Sequence, residues 1–444
     1  MKHRDAAEAN CGWLGRWIET MDELARLKKQ VHPMVDAVIE EQRGRQIRIG
    51  TRWLTDWASC NYLGLDFDED VQASIGELVG RWGTHPSWSR LIGTPRPYVD
   101  IEEQLTELLG CEDVLCMPTI THIHMSVLPV LAGDGTIFLD SRAHKTIYDG
   151  AMLAAGRGTH VVRFRHNDPQ HLEQLLRQTK GTGPRVVAMD GINSMTGNAP
   201  DLAAFSSLAN RYDGLLYVDD AHGFGIIGER GAQARCPYGA RGNSVFRHQG
   251  VSYDNAVLVG GLSKAYSSLL AFLALPTRLK EALKVLAPPY LYSGPAPVAS
   301  LATVLAGLEV NRRRGEAIRA DVWRKTGRVL DALRALDIRT PNESGFPIIE
   351  IPLGRHEDID AAGHFLFERG IYVTMAAFPL VPKDEVGVRV QVTAANTDAE
   401  VDHLIDVLGE MRQRFPMQMP RQVFGSTAAA TVPAMSPQSA CKAG

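Results

Sequence analysis

The sequence predicts an α/β protein, with a mostly parallel central sheet covered on both faces by helices and a smaller α+β domain at the C-terminal end. Two observations carry this. Short, almost wholly apolar runs recur through the middle of the chain, separated by stretches of helical spacing, which is the pattern of strands buried on both faces. From about Pro297 the pattern changes to one long helical stretch and then to mixed helices and strands.

In chain order, residues from about 13 to 43 place Leu24, Val31, Val35, Val38 and Ile39 at helical spacing among many charges and predict an amphipathic helix. Ile47 to Trp57 reads as a short strand pair leading into Asn61-Tyr62-Leu63-Gly64. Strands are expected at Thr136–Leu139, His160–Phe164, Val186–Met189, Leu215–Val218 and Ala256–Val259. Between them, helices are expected at His144–Ala155, Pro169–Gln178 and Leu202–Arg211. The later part predicts a helix from Pro297 to Leu336, a strand at Phe346–Ile351 and a helix at Asp358–Arg369. Strands at Ile371–Thr374 and Val386–Thr393 and a helix at Asp398–Arg412 complete it. The tail after about Pro420 is small, polar and proline-containing, and is expected to be disordered. The expected organisation is therefore 1–60 (helix and short strands), 61–296 (large domain), 297–419 (small domain) and 420–444 (tail).

A chain of 444 residues can bury a large core, and 45% hydrophobic with 22% charged residues is ordinary for a globular protein. The net charge of −4, with both signs interspersed, leaves no footprint for nucleic acid or a membrane surface. No apolar run is long enough to span a bilayer. The start, MKHRDAAEANCGWLGRW, lacks the apolar stretch and cleavage site of a secretory signal, so a cytoplasmic enzyme is the default. Cys11, Cys60, Cys111, Cys116, Cys236 and Cys441 are scattered and form no CxxC pair, so neither a disulfide framework nor a metal site is expected.

Lys264, in LVGGLSKAYSS, follows an apolar strand ending in two glycines, which projects its amine from the carboxyl edge of the sheet. A lysine walled by apolar residues suits a lowered pKa and Schiff-base formation, although a surface lysine after a turn would read the same way. The strand Leu215–Val218 delivers Asp219 to the same edge, with His222 three residues on. A carboxylate there could keep a pyridinium nitrogen protonated, and the imidazole could donate to a phenolic oxygen. The alternative is an acidic strand end with a structural histidine. His144 stands after a third strand, and its flat ring could stack on an aromatic cofactor or be structural. Arg389, within an apolar strand, suits a carboxylate or an internal ion pair equally. Thr119, Ile120 and Thr121 precede a helical run whose N–H groups could hold a phosphate, and Ser263 could reach the same phosphate. Loop polarity is the plain alternative for each of these, and no glycine-rich nucleotide loop is present.

Together these stretches resemble the α-oxoamine synthase family of fold-type I pyridoxal-phosphate enzymes. The likeness runs in order from about Ile47 to Leu408: Asn61-Tyr62-Leu63-Gly64-Leu65, Ser89-Arg90 before Ile101-Glu102, Asp140 with His144 and Asp149-Gly150, and Phe164 to Asp168. It continues through Asp190-Gly191 with Ser194-Met195, Asp219-Asp220-Ala221-His222-Gly223, Ser263-Lys264-Ala265, Tyr292-Ser293, Arg389 and Ala394-Ala395-Asn396-Thr397. The resemblance implies that the large domain binds pyridoxal 5′-phosphate as a Schiff base on Lys264, which also moves the proton. Asp219 would pair with the ring nitrogen, His222 with the ring oxygen, and His144 would stack on the ring. Arg389 would hold the amino-acid carboxylate, with Asn61 and Ser194 lining the site. It further implies a homodimer with shared active sites, Ser293 contacting the phosphate in trans. The reaction implied is decarboxylative condensation of an amino acid with an acyl-CoA or carrier-bound acyl thioester, giving an α-amino ketone.

The chain departs from the family pattern at several points. Thr119-Ile120-Thr121 replaces a Ser-Gly-aromatic stretch, His124 replaces an asparagine, and Gly261 replaces a threonine. Ser267-Ser268-Leu269-Leu270 replaces glycines, Tyr98 and Asn396 replace histidines, and the segment between Gly231 and Asn255 is longer. These changes point to specialised metabolism. They leave open an aminotransferase or aldol-type reaction on the same fold. A non-catalytic partner subunit is disfavoured because Lys264 is retained.

Overall fold

Among the residues that the computed structural model describes (32–417 except 233, 339, 379 and 380), the strands begin with a hairpin pair. These are β1 (Ile39–Arg43), β2 (Gln46–Ile49) and β3 (Arg52–Asp56). Then come β4 (Asp113–Met117), β5 (Thr136–Asp140), β6 (His160–Phe164), β7 (Arg185–Asp190) and β8 (Leu215–Asp219). They are followed by β9 (Ala256–Gly261), β10 (Ala271–Leu275), β11 (Ile348–Pro352), β12 (Ile371–Tyr372), β13 (Thr374–Ala376) and β14 (Gly387–Gln391).

Two compact units result. The first takes Leu63–Ser194 and Asn198–Ala320. It holds the seven-stranded sheet β4-β10-β9-β8-β7-β5-β6, parallel throughout except for β10, which pairs antiparallel with both neighbours. Its inner strands are buried except at Arg185 and Leu215, the first residues of β7 and β8, and pack under helices Ile120–Ala132 and Lys145–Ala155 through Val127, Leu128, Ile147, Ala151 and Ala154. This is why the strands read as unbroken apolar runs rather than alternating ones. The sequence reading left β4 and β10 unassigned: at five residues each, an apolar run shows no period that separates it from a helix segment.

The second unit takes the described residues up to Tyr62, Met195–Gly197 and those from Asp321 on. Its sheets are β1-β2-β3-β12 and β11-β14-β13, with a core that includes Trp57, Val329, Ile349, Ile351, Phe365, Val388, Val390 and Leu404. The helix expected to run to residue 43 is not what forms. The part before residue 32 lies outside the described residues, and the chain from Ile39 is β1, an antiparallel hairpin with β2. Gly44, at φ 57°, makes the reversal, and Arg48 bridges back to Glu40 and Glu41, so charges that would line a helix face pair across strands instead. The grouping also differs from a boundary at 296/297. Helix Val298–Ala335 runs unbroken through 320, while β12 pairs parallel with β3 (Ile371 opposite Thr55) and ties the early chain to the late one. The tail from 420 lies outside the described residues.

Candidate active site

Every parallel strand of the large sheet points its carboxyl end to the same edge, and open α/β sheets bind their ligands there. The residues at the ends of β7 and β8 and just beyond β4, β5, β7, β8 and β9 converge on a cavity of about 220 Å³. Thr119, Ile120 and Thr121 come from the first, His144 and Thr146 from the second, and Asp190, Ile192 and Ser194 from the third. Asp219, Ala221 and His222 come from the fourth, and Ser263 and Lys264 from the fifth. A larger cavity, about 490 Å³, opens at the opposite edge around Thr136, His160 and Arg185. It has neither the converging strand ends nor the buried carboxylates of the first.

Lys264 sits on the tight link between β9 and β10. Leu262 N–H donates to the Leu270 carbonyl (2.9 Å), Ser268 N–H to Leu262 (2.9 Å), and Ser267 N–H to Lys264 itself (3.0 Å). The first of the two glycines before it is required by its neighbour, since a Cβ on Gly260 would fall 2.1 Å from Cζ of buried Phe272; one on Gly261 would fall 2.4 Å from Cδ1 of Ile120, the movable end of a half-buried side chain. Lys264 is half-buried, and its positive charge is felt at Asp190, Asp219 and Asp220.

Asp219 lies at the buried end of the cavity. Its Oδ1 accepts from Ala221 N–H (2.8 Å) and its Oδ2 from Nε2 of His124 (2.9 Å). Burial opposes its charge, yet the hydrogen bond from His124, the charge of Lys264 and the Ala221 N–H hold its pKa down to about 2. Its register partner on β7 is Asp190, whose pKa burial, and then the Asp219 charge, push well above the ordinary aspartate range. The two neighbouring carboxyls are thus pushed in opposite directions, Asp219 toward its charged form and Asp190 toward its neutral one. Asp190 Oδ1 accepts from the backbone N–H of His144 (3.1 Å) and so fixes the start of helix Lys145–Ala155. The His144 ring is exposed and contacts Thr146 Oγ1 through Nδ1 (2.8 Å).

Thr119 is the N-cap of helix Ile120–Ala132, accepting from His122 N–H (3.2 Å), so that helix's N-terminus opens on the cavity. Buried His222 and exposed Ser263 complete the lining. Ser293 does not line the cavity; its hydroxyl donates to the Gly294 carbonyl (3.1 Å). Asn61 and Arg389 belong to the other compact unit, where Arg389 lies on β14 opposite Glu350 and Thr374, with Nη1 3.6 Å from Met195 Sδ. Sequence reasoning did not assign Asp190, Thr146, Ile192 or Ala221 to the site, nor His124 to Asp219. The aspartate ending the strand Val186–Met189 was the available signal for Asp190. Nothing in the spacing ties residue 124 to residue 219.

The family model described as aminotransferase class I and II matches residues 54–408. The 8-amino-7-oxononanoate synthase of Pseudomonas putida is 32% identical over 380 residues, covering 84% of this chain and 92% of that one. The solved serine palmitoyltransferase of Sphingomonas wittichii superposes with a TM-score of 0.83 at 25% identity, over 91% of this chain and all of the other. That of S. paucimobilis, solved with a bound PLP–myriocin aldimine, shares the fold at 23% identity, with a TM-score of 0.81 over 89% of this chain and 98% of that one. The chain belongs to the class I and II aminotransferase family and, within it, to the α-oxoamine synthases.

Proposed function

We infer that this enzyme binds pyridoxal 5′-phosphate covalently through Lys264 and condenses an amino acid with an acyl thioester, releasing carbon dioxide and a thiol to leave an α-amino ketone. The observation that carries this is the convergence of Lys264, Asp219, His222, His144 and the helix start at Thr119 on one cavity at the carboxyl edge of the sheet. The lining suits the cofactor by its own chemistry: an ionised carboxylate at the buried end, an amine on the opposite loop, and a helix N-terminus for the phosphate.

Bound there, the cofactor supplies an electron sink for the α-carbon of the amino acid. Asp219 would accept from the protonated ring nitrogen, His222 would donate to the ring oxygen, and His144 would cover the ring face. Thr119, Thr121 and Ser263 would hold the phosphate with the N–H groups that follow Thr119, while Ile120 would supply an apolar wall. Ser194 lines the site. The Lys264 amine takes and returns the α-proton. Arg389, a planar guanidinium on an apolar strand, is assigned the substrate carboxylate, and Asn61 lines the site beside the cofactor. Coenzyme A or a carrier thiol leaves as the new carbon–carbon bond forms, and carbon dioxide follows.

A homodimer in the cytoplasm is part of the same proposal. Trp88, Leu91, Ile92 and Tyr292 are 46%, 58%, 79% and 83% exposed, large apolar side chains that a second copy of the chain would cover. Ser293, next to Tyr292, is then the residue offered to the partner's phosphate.

The test is release of labelled carbon dioxide from a pool of carboxyl-labelled amino acids, with and without a panel of acyl-CoAs. Release that needs both establishes the synthase reaction and names the substrates when the pool is divided. Release without a thioester would show a simple decarboxylase. Pyruvate-dependent amino-group transfer in place of release would show an aminotransferase.

A further inference from the structure

Asp219 is gripped from behind by a residue that the family pattern does not supply. Tyr217 and Asp219 are two apart on β8 and so project from the same face of the sheet. Helix Ile120–Ala132 lies over that face, and His124 on it bridges the two side chains. Its Nδ1 is 2.8 Å from the Tyr217 hydroxyl and its Nε2 is 2.9 Å from Asp219 Oδ2, and the His124 side chain is fully buried. The rings of His124 and Tyr217 meet edge-on, with centroids 5.6 Å apart and planes at 65°.

The hydrogen positions follow from counting donors. The Tyr217 hydroxyl is buried, burial raises its pKa, and so it keeps its proton and donates to Nδ1. On a neutral imidazole that leaves the ring proton on Nε2, pointing at Asp219, and on an imidazolium Nε2 donates to Asp219 as well. Both Asp219 oxygens are then occupied by donors, from His124 and from the Ala221 N–H. A carboxylate so held is a weak base despite its burial.

We propose that His124, with its tautomer fixed by Tyr217, is a positioning residue that keeps Asp219 ionised and aimed, so that a bound pyridine ring retains the proton on its nitrogen. The proposal rests on pyridoxal phosphate being the cofactor. Without the Nε2–H donor, the buried carboxylate competes for the shared proton, and the ring loses its pull on the electrons of the α-carbon.

The experiment compares wild type, His124→Leu, His124→Gln and Tyr217→Phe, each loaded with pyridoxal phosphate labelled at the ring nitrogen. Solid-state nitrogen NMR reads whether that nitrogen is protonated, and exchange of the amino acid's α-proton reads the consequence. Wild type is expected to show the protonated nitrogen. His124→Leu, similar in bulk, is expected to move the signal toward the neutral ring and to slow exchange roughly ten- to a hundredfold, the worth of one charge-assisted hydrogen bond. His124→Gln, whose amide nitrogen reaches as far as Nε2, is expected to restore most of both, and Tyr217→Phe to fall between wild type and leucine. An unchanged signal and unchanged exchange in a folded His124→Leu would overturn the proposal. Should that variant not fold, a Tyr217→Phe protein identical to wild type in both readouts would do the same. A wild-type chain that takes up no cofactor, or a Lys264→Ala variant that still binds it covalently, refutes the cofactor reading instead, so the two failures are distinguishable.

Discussion

Ile120 fills the space that a side chain at position 261 would need: a Cβ built on Gly261 falls 2.4 Å from Cδ1 of Ile120 and 3.3 Å from its Cγ1. The family pattern has the opposite arrangement, glycine on the helix start and threonine on the strand end. The two departures are therefore one exchange of volume across the cavity wall. It trades a hydroxyl near the expected phosphate for an apolar surface.

That exchange predicts coupling. Gly261→Thr alone is expected to cost about 1–3 kcal/mol through overpacking, read from the urea midpoint of the cofactor-free protein. In an Ile120→Gly background the same change is expected to cost less, with an interaction energy of roughly 0.5–3 kcal/mol. Simple additivity of the two substitutions would show that the contact does not decide which residue fits at 261.

The loop carrying Lys264 holds a second exchange. Ser267 adopts φ 52°, a left-handed conformation that costs a non-glycine residue about 1–2 kcal/mol, and its buried hydroxyl has no hydrogen-bond partner among the described residues. Ser267→Gly is expected to stabilise the protein by about 1 kcal/mol, after the greater unfolded-state freedom of glycine is taken off. A melting midpoint that stays level or falls would mean that the serine is not strained.

Asp190 bears on stability through pH. Burial raises its folded pKa above the unfolded value, so the stability tied to this group is fully present below the ordinary aspartate range and is lost as pH rises through the folded value. A neutral amide at this position would mimic the protonated side chain and still accept the His144 N–H. Asp190→Asn is therefore expected to stabilise the cofactor-free protein at neutral pH by about 1–3 kcal/mol, the scale of a buried unsatisfied polar group, and to have little effect near pH 3. Urea titrations at the two pH values check both arms. A gain of equal size at both would assign the effect to packing rather than to the proton.

Lys264→Ala is expected to fold but to lose the yellow absorbance of lysine-bound cofactor together with turnover. Asp219→Asn places a neutral amide where the charge should be, and α-proton exchange is expected to slow by roughly two to three orders of magnitude. Full turnover in the first variant, or wild-type exchange in the second, would remove that residue from its assigned role.

Much of this was readable from local pattern. The five strands of the large sheet that were assigned, and Lys264, Asp219, His222 and His144 at or beyond the ends of three of them, follow from apolar runs broken by loops; the inner four are largely apolar because both their faces are buried, while the edge strand β6 keeps His160 and Arg163 exposed. The β1–β2 hairpin was misread because Val35, Val38 and Ile39 fit a helical spacing, while the Gly44 turn and the cross-strand charge pairs decided the outcome.

The sequence by itself determined the family, five of the seven strands of the large sheet, and that Lys264, Asp219, His222 and His144 stand at its carboxyl edge. Only the tertiary structure decided that Asp190 and Asp219 lie in register with their pKa values pushed in opposite directions, that Ile120 packs over position 261, and that His124 backs Asp219. The physical reason is the same in each case. Spacing along a chain fixes which face of a strand or helix a residue occupies, but packing between elements far apart in sequence fixes what that face meets.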